Sequence, residues 1–78
     1  MTHQIIDVRT PGEFAGGHAP GSVNIPLDQL EGRLGDLDKG RPVILCCATG
    51  GRSGMATRFL QSMGFVATNA GPWQALRS

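Results

Sequence analysis

The feature that most constrains the fold is a junction near the middle of the chain, where an apolar run meets a glycine-rich loop and then a helical pattern. The run Pro42–Cys46 has the sequence PVILC, which is continuous and partly β-branched, as is typical of a parallel strand buried on both faces. Gly50 and Gly51 follow it, and from Ser53 onward apolar residues recur at helical spacing until Gly64, a natural helix stop. A strand, a loop and a helix in this order predict one unit of an α/β domain with a mainly parallel sheet.

Short apolar runs and turn residues extend the same alternation to both ends of the chain. Gln4–Val8, Val23–Ile25 and Phe65–Thr68 predict three further strands. Thr10 and Glu13 have the spacing of a capping box, which predicts a short helix after the first strand. The sequence therefore predicts strands that alternate with helices along the whole chain.

Between the second and third predicted strands, leucines recur at spacings of three, four and three residues: Leu27, Leu30, Leu34 and Leu37. This spacing predicts an amphipathic helix whose apolar side faces the core. Gly32 and Gly35 lower the helix propensity, so we expect this helix to fray or end near Gly35.

Length and composition are typical of one small domain. The 78 residues leave room for a single core, and no apolar run approaches the roughly 20 residues that cross a bilayer. No signal-peptide pattern is present, so we expect a cytoplasmic protein, or a periplasmic one if a signal peptide has been removed. The two cysteines are adjacent and lack zinc-ligand spacing, which argues against both a disulfide scaffold and a metal site.

Charge is distributed unevenly along the chain. All 6 side-chain carboxylates lie before Lys39, so the part that holds the cysteines is net cationic. A cationic environment favours a thiolate and attracts small anions. The cations are too scattered to form the basic stripe that binds nucleic acid.

The stretch Cys46–Ser53, CCATGGRS, satisfies two spacing rules at once. Five residues separate Cys46 from Arg52, as in the C-x5-R-[S/T] pattern of cysteine phosphatases, whereas four separate Cys47 from Arg52. In either register the loop lies between a strand and a helix, so its backbone N–H groups form an anion cradle at the positive end of the helix dipole. These amides, the dipole and Arg52 would lower the pKa of a cysteine at its base. Spacing alone leaves both cysteines as candidate nucleophiles.

Several ordered segments resemble the motifs of rhodanese domains. IIDVRTPGEFAGGHAPGSVNIPLDQL, ILCCATGGRS and LQSMGFVATNAG are similar to the family's D-V-R-x-x-x-E-[FY], G-H-x-x-G-[AS]-x-N-I-P, C-x-x-G-x-R-S and L-x-x-x-G-[FY] segments. The resemblance extends from about Ile5 to Gly71, and the compact phage shock protein E type looks most similar. It implies a minimal rhodanese-like three-layer α/β fold, with a small, mainly parallel sheet flanked by helices, and a single domain over residues 1–78.

The resemblance implies a thiosulfate sulfurtransferase without a cofactor. Cys47 would take sulfane sulfur from thiosulfate or a persulfide, hold it as a persulfide, and pass it to cyanide or a thiol. Arg52 would orient the anionic donor, or would instead pair with a carboxylate. The loop residues that would bind the substrate are Ala48, Thr49, Gly50 and Gly51. The expected partners are thus a small anionic sulfur donor and a thiol or cyanide acceptor, with no nucleic acid or membrane.

The same resemblance assigns supporting roles to other residues. Asp7 and Arg9 end the first strand and would form an ion-pair network with Glu13, while Ser53 opens the helix after the loop. His18 lies in the segment GHAPG, a context that favours a turn histidine bonded to the backbone over a general base.

Cell-cycle dual-specificity phosphatases and some arsenate reductases share this fold but have the longer C-x5-R loop. Three features favour Cys47 as the nucleophile. Gly50 stands three residues after it, Thr49 occupies the position of the phosphatase glycine, and Leu45 precedes Cys46 where phosphatases have histidine. A phosphatase or arsenate reductase through Cys46, a non-catalytic sulfur-carrier module and a resolving role for Cys46 stay open as alternatives.

The chain departs from the family pattern near its end. Pro72 replaces the second glycine of the usual terminal pair, Trp73 comes early, and no terminal helix follows it. We therefore expect a minimal domain with an exposed sheet edge, present as a monomer or a weak homodimer.

Overall fold

The structure is a computed structural model that describes residues 3–76. The strands are β1 (Gln4–Asp7), β2 (Val23–Asn24), β3 (Val43–Cys47) and β4 (Ala67–Pro72). They form one sheet in the order β2-β1-β3-β4, and every pairing is parallel. The α-helices are α1 (Pro11–Ala15) and α2 (Gly51–Ser62), and 3-10 helices cover Leu27–Gln29, Glu31–Asp36 and Trp73–Leu76. The predicted α/β class with a small parallel sheet and flanking helices is confirmed.

Strand β3 is the centre of the core, as its continuous apolar sequence predicts. Val43, Leu45, Cys46 and Cys47 have no solvent-exposed surface. β3 pairs with β1 on one side and β4 on the other, and α2 packs against β3 and β4. Burial of an aliphatic side chain of this size stabilises the fold by about 1.5–3 kcal/mol.

Within residues 3–76 no helix is long and apolar enough to span a membrane.

The strand register brings polar residues to the carboxyl edge of the sheet. Asp7 at the end of β1 pairs with Asn24 of β2 on one side and with Cys46 of β3 on the other. On the far side of β3, Cys47 pairs with Pro72 of β4. In parallel sheets this edge is where ligands bind, so the fold places the cysteines at the expected location.

The leucine-rich segment differs from the prediction in its type of helix. It forms the two 3-10 helices Leu27–Gln29 and Glu31–Asp36 instead of one α-helix. Gly32 and Gly35 weaken an α-helix here, and a 3-10 helix places residues three apart on the same side. Leu30 and Leu37 are buried, so the predicted apolar side does face the core.

Several predicted element ends are confirmed and others shift. Thr10 and Glu13 form the predicted capping box at the start of α1. Gly64, with φ of +92°, follows the end of α2 as predicted. The prediction that the last strand begins at Phe65 is wrong, because Phe65 packs into the core before β4 begins at Ala67.

Candidate active site

The loop between β3 and α2 is shaped by a glycine. Cys47 is the last residue of β3, and α2 begins at Gly51, so the connection is only residues 48–50. Gly50 has φ of +110°, a left-handed conformation that favours glycine. A side-chain carbon at this position would also lie 3.3 Å from Gly71 Cα. The turn that joins this strand to this helix therefore depends on glycine at position 50.

Cys47 lies at the base of the loop and receives hydrogen bonds from two backbone amides. The N–H of Gly50 lies 3.0 Å from Cys47 Sγ, and the N–H of Ser53 lies 3.4 Å from it. The Ser53 hydroxyl oxygen is also 3.3 Å from the sulfur. These donors come from the loop and the first turn of α2, so the predicted anion cradle is built around Cys47.

The cradle changes the acidity of Cys47. Burial alone would raise the pKa of this thiol, but hydrogen bonds from the Ser53 hydroxyl and from the amides of Ser53, Gly50 and Thr49 outweigh it. Together they lower the pKa of Cys47 from 9.0 to about 7. A substantial fraction of Cys47 is therefore a thiolate at neutral pH.

Cys46 has the opposite environment. Its side chain is buried, and burial together with the nearby Asp7 carboxylate raises the pKa of this thiol from 9.0 to about 11. Cys46 is thus a protonated thiol at neutral pH. The phosphatase register would require a thiolate at this position, which these surroundings oppose.

Arg52, in the first turn of α2, pairs with the carboxylate of Glu13 in α1. Its two terminal nitrogens lie 2.8 and 3.0 Å from the two carboxylate oxygens of Glu13. The Arg52 guanidinium lowers the pKa of Glu13 to about 2, and the backbone N–H of Thr10 adds to this effect. Both partners are more than one-third exposed, so the pair lies at the surface. Of the two roles predicted for Arg52, pairing with a carboxylate is the one that this geometry matches.

Asp7 and Arg9 form a separate buried ion pair. The Asp7 carboxylate accepts hydrogen bonds from the Arg9 backbone and side chain at 2.8–3.0 Å. Arg9 also donates to the Gly17 carbonyl at 2.6 Å and lies 5.0 Å from the centre of the Trp73 ring. These contacts connect β1 to the segment after α1 and to the last 3-10 helix. Glu13 bonds to Arg52 instead of joining this pair, which differs from the predicted network.

The other predicted residues lie around this centre without touching the sulfur through their side chains. Ala48 is half-buried, Thr49 is exposed and Gly51 begins α2. His18 is bonded through Nδ1 to the Phe14 carbonyl at 2.9 Å, as predicted for a turn histidine.

Sequence reasoning missed Asn69. Its Oδ1 lies 2.6 Å from Ser53 Oγ, and its Nδ2 donates to the Gly50 carbonyl at 3.2 Å. Asn69 therefore contacts two of the residues that donate hydrogen bonds to Cys47, namely Gly50 and Ser53. The available signal was its position directly after the predicted last strand, Phe65–Thr68, because the carboxyl ends of parallel strands meet at one edge.

A pocket of about 330 Å³ adjoins Arg52. Its wall is mostly apolar, with Arg52 and Asp28 as its charged residues. The lining residues are Val8, Thr10, Pro26, Leu27, Asp28 and Arg52.

Known proteins with similar sequences include three curated relatives. Uncharacterized protein YqhL of Bacillus subtilis is 48% identical over 61 residues, which cover 78% of this chain and 48% of YqhL. Putative sulfur carrier protein YrkF of the same organism is 39% identical over 61 residues, which cover 78% of this chain and 33% of YrkF. Thiosulfate sulfurtransferase PspE of Escherichia coli is 38% identical over 69 residues, which cover 85% of this chain and 66% of PspE. The chain thus spans half or less of the length of the first two.

Structure and family comparisons agree with these sequence matches. The crystal structure of a rhodanese-like domain protein from Staphylococcus aureus has a TM-score of 0.89 and 31% identity, and the match covers 100% of this chain and 76% of that one. The family model for the rhodanese-like domain matches residues 1–76. Since the match extends over nearly the whole sequence, the chain belongs to the rhodanese-like domain family.

Proposed function

We propose that this chain is a sulfurtransferase that moves sulfane sulfur from thiosulfate, or from a persulfide, to cyanide or a thiol through a persulfide on Cys47. The observation that carries the proposal is the cradle around this sulfur, where amide donors lie at 3.0 and 3.4 Å and lower the pKa of Cys47 to about 7. A thiolate at neutral pH is the form that attacks sulfur. In this proposal the enzyme is a single domain over residues 1–78 and needs no cofactor.

In the loading step, the Cys47 thiolate attacks the outer sulfur of thiosulfate. The new bond joins Cys47 Sγ to that sulfur, the S–S bond of thiosulfate breaks, and sulfite leaves with the bonding electron pair. In the unloading step, cyanide or a thiolate attacks the outer sulfur of the persulfide, and Cys47 leaves as a thiolate. Neither step needs an external oxidant, and the backbone amides of residues 48–52 stabilise the anionic persulfide.

Arg52 and the adjoining pocket supply the donor subsite in this proposal. A thiosulfate dianion that enters the pocket of about 330 Å³ meets Arg52, which lines it. The Arg52–Glu13 pair is exposed, so an incoming anion can replace the carboxylate at modest cost. Asp7, Arg9 and Ser53 act as supporting residues, because they hold the sheet edge and the first turn of α2.

A non-catalytic sulfur carrier is the second candidate. One observation favours it: YrkF bears the name putative sulfur carrier protein. In a carrier, Cys47 forms the persulfide but releases sulfur only to a partner protein. Fast loading with negligible thiocyanate formation would therefore support the carrier over the enzyme.

The test is sulfur-transfer kinetics on the wild type and on the matched variants Cys47→Ser and Cys46→Ser. We expect thiosulfate to add one sulfur to Cys47, located by mass spectrometry, and cyanide to remove it as thiocyanate. Cys46→Ser should keep both steps, whereas Cys47→Ser should lose both. An adduct confined to Cys46, or no adduct at all, would contradict the proposal. Aryl phosphate hydrolysis that survives Cys47→Ser but not Cys46→Ser would instead establish the phosphatase alternative.

A further inference from the structure

The side-chain amide of Asn69 is held in one orientation by the backbone on either side. The Gly71 N–H, which can only donate, lies 2.9 Å from Asn69 Oδ1. The Gly50 carbonyl, which can only accept, lies 3.2 Å from Nδ2. A reversed amide would place donor against donor and acceptor against acceptor. Oδ1 is therefore the atom that lies 2.6 Å from Ser53 Oγ, and the Ser53 hydroxyl donates to it.

The Ser53 hydroxyl has one hydrogen and three acceptors within reach. Asn69 Oδ1 is at 2.6 Å, whereas Cys47 Sγ and the Gly50 carbonyl are both at 3.3 Å. A hydrogen directed mainly at Asn69 gives the Cys47 thiolate only a weak hydrogen bond at 3.3 Å. We propose that Asn69 is a positioning residue that competes with the Cys47 sulfur for the Ser53 hydrogen.

The sign of the effect follows from comparing the two protonation states of Cys47. In the thiol state, loss of the Asn69 acceptor leaves the Ser53 hydrogen only a neutral acceptor, the Gly50 carbonyl at 3.3 Å. In the thiolate state, the same hydrogen can turn to the sulfur, so less is lost. Asn69→Ala therefore stabilises the thiolate relative to the thiol and lowers the pKa of Cys47. Asn69 thus keeps this pKa higher than the cradle alone would make it.

The rest of the cradle does not depend on Asn69. The Gly50 carbonyl also accepts a hydrogen bond from the Gly54 N–H at 2.9 Å, so the loop keeps an anchor to α2. Two other ionisable groups interact electrostatically with Cys47, namely Arg52 on α2 and Cys46 on β3. Neither contacts Asn69 in the hydrogen bonds described above, so both stay in place in the variant.

The consequence for sulfur transfer rests on the proposed function. Cys47 is the nucleophile in loading and the leaving group in unloading. A thiolate of lower pKa is a weaker nucleophile and a better leaving group. Asn69 therefore sets the balance between the two half-reactions, and Asn69→Ala should slow loading by the fully formed thiolate while it speeds unloading.

The test measures the pH dependence of Cys47 alkylation by iodoacetamide, with the modified residue located by mass spectrometry. In Asn69→Ala we expect the midpoint to fall and the rate at pH 6 to rise about two- to fourfold, because the gain in thiolate from one hydrogen bond is partly offset by its lower nucleophilicity. In a Ser53→Ala background, Asn69→Ala should have no effect, because no hydroxyl hydrogen is left to redirect. A raised midpoint, or the same shift in both backgrounds, would overturn the proposal.

A second variant covers the case in which Asn69→Ala does not fold. Asn69→Asp keeps an acceptor oxygen for Ser53 and adds a negative charge. The rate of Cys47 alkylation at pH 6 should therefore fall. In the Ser53→Ala background, which lacks the hydroxyl, it should fall less. An equal fall in both backgrounds would contradict the proposal. Alkylation needs no sulfur donor, so this result stands or fails independently of sulfurtransferase activity.

Discussion

Two neighbouring regions at the end of β3 give adjacent cysteines opposite chemistry. The amide cradle, formed by Gly50 and Ser53, surrounds Cys47 with hydrogen-bond donors and lowers its pKa to about 7. Around Cys46, burial and the Asp7 carboxylate raise the pKa to about 11. Successive side chains of a strand point to opposite sides, so a one-residue step is enough to change the surroundings. The two thiols therefore differ in acidity because of hydrogen-bond donors and not because of burial, since both are buried.

The largest expected effect is the difference in alkylation between the two cysteines. At pH 7, pKa values of about 7 and about 11 make the thiolate fraction of Cys47 larger on the order of a thousandfold or more. Limited iodoacetamide treatment followed by fragment mass spectrometry should therefore find the adduct on Cys47. The same treatment in concentrated urea is the matched control, where both thiols should react at similar rates. Comparable labelling of Cys46 and Cys47 in the folded protein would contradict the opposite pKa shifts of the two thiols.

The buried ion pair beside Cys46 should contribute strongly to stability. Asp7→Asn leaves the Arg9 guanidinium buried without its carboxylate, which should reduce the free energy of unfolding by about 3–5 kcal/mol. The matched control is Asp36→Asn, which breaks the exposed Arg33–Asp36 pair and should cost less than about 1 kcal/mol. Urea unfolding measures both. Equal losses would mean that burial does not distinguish the two pairs.

The two thiols should affect the pH dependence of stability in opposite directions. Between pH 7 and 9, Cys47 is deprotonated in the folded chain but still protonated in the unfolded one, so stability rises with pH. Between pH 9 and 11, Cys46 keeps its proton only in the folded chain, so stability falls. Each contribution is about 3 kcal/mol, from a shift of about two pKa units.

The free energy of unfolding should therefore peak near pH 9, and urea titrations over this range would show it. Cys47→Ala should remove the rise below the peak, and Cys46→Ala should remove the fall above it. A monotonic curve in the wild type, or loss of the same slope in both variants, would contradict the opposite assignments.

Local sequence patterns predict the elements of this fold better than they predict the contacts between them. The buried β3 and the capping box of Thr10 and Glu13 follow from a few neighbouring residues, and both are confirmed. The leucine segment forms 3-10 helices and not the predicted α-helix. Its leucine spacings of three and four suit an α-helix, but its glycines weaken one.

Within the site, residue spacing locates the loop around Cys47. It does not identify the hydrogen-bond partners of Arg52 and Ser53. Glu13 and Arg52 are 39 residues apart, and Ser53 and Asn69 are 16 apart. No periodicity connects such pairs. They meet because parallel strands end at one edge, and which polar side chains then bond is decided by packing in three dimensions.

The smallest effect we predict concerns the exposed Arg52–Glu13 pair. Glu13→Gln removes the negative charge that the guanidinium now faces, while glutamine can still complete the capping box of α1. A thiosulfate dianion then meets an unpaired cation and no nearby carboxylate. We expect KM for thiosulfate to fall about threefold, in line with the modest worth of an exposed ion pair, with kcat unchanged.

Steady-state kinetics at two ionic strengths would check this, because a change in KM that comes from charge should shrink as salt screens it. Arg52→Gln is the matched variant on the other side of the pair and should raise KM. A rise in KM for Glu13→Gln as well would show that Glu13 holds Arg52 in the orientation that binds the donor. The surface pair would then be part of the binding site and not its competitor, and the functional boundary would extend from the amide cradle to α1.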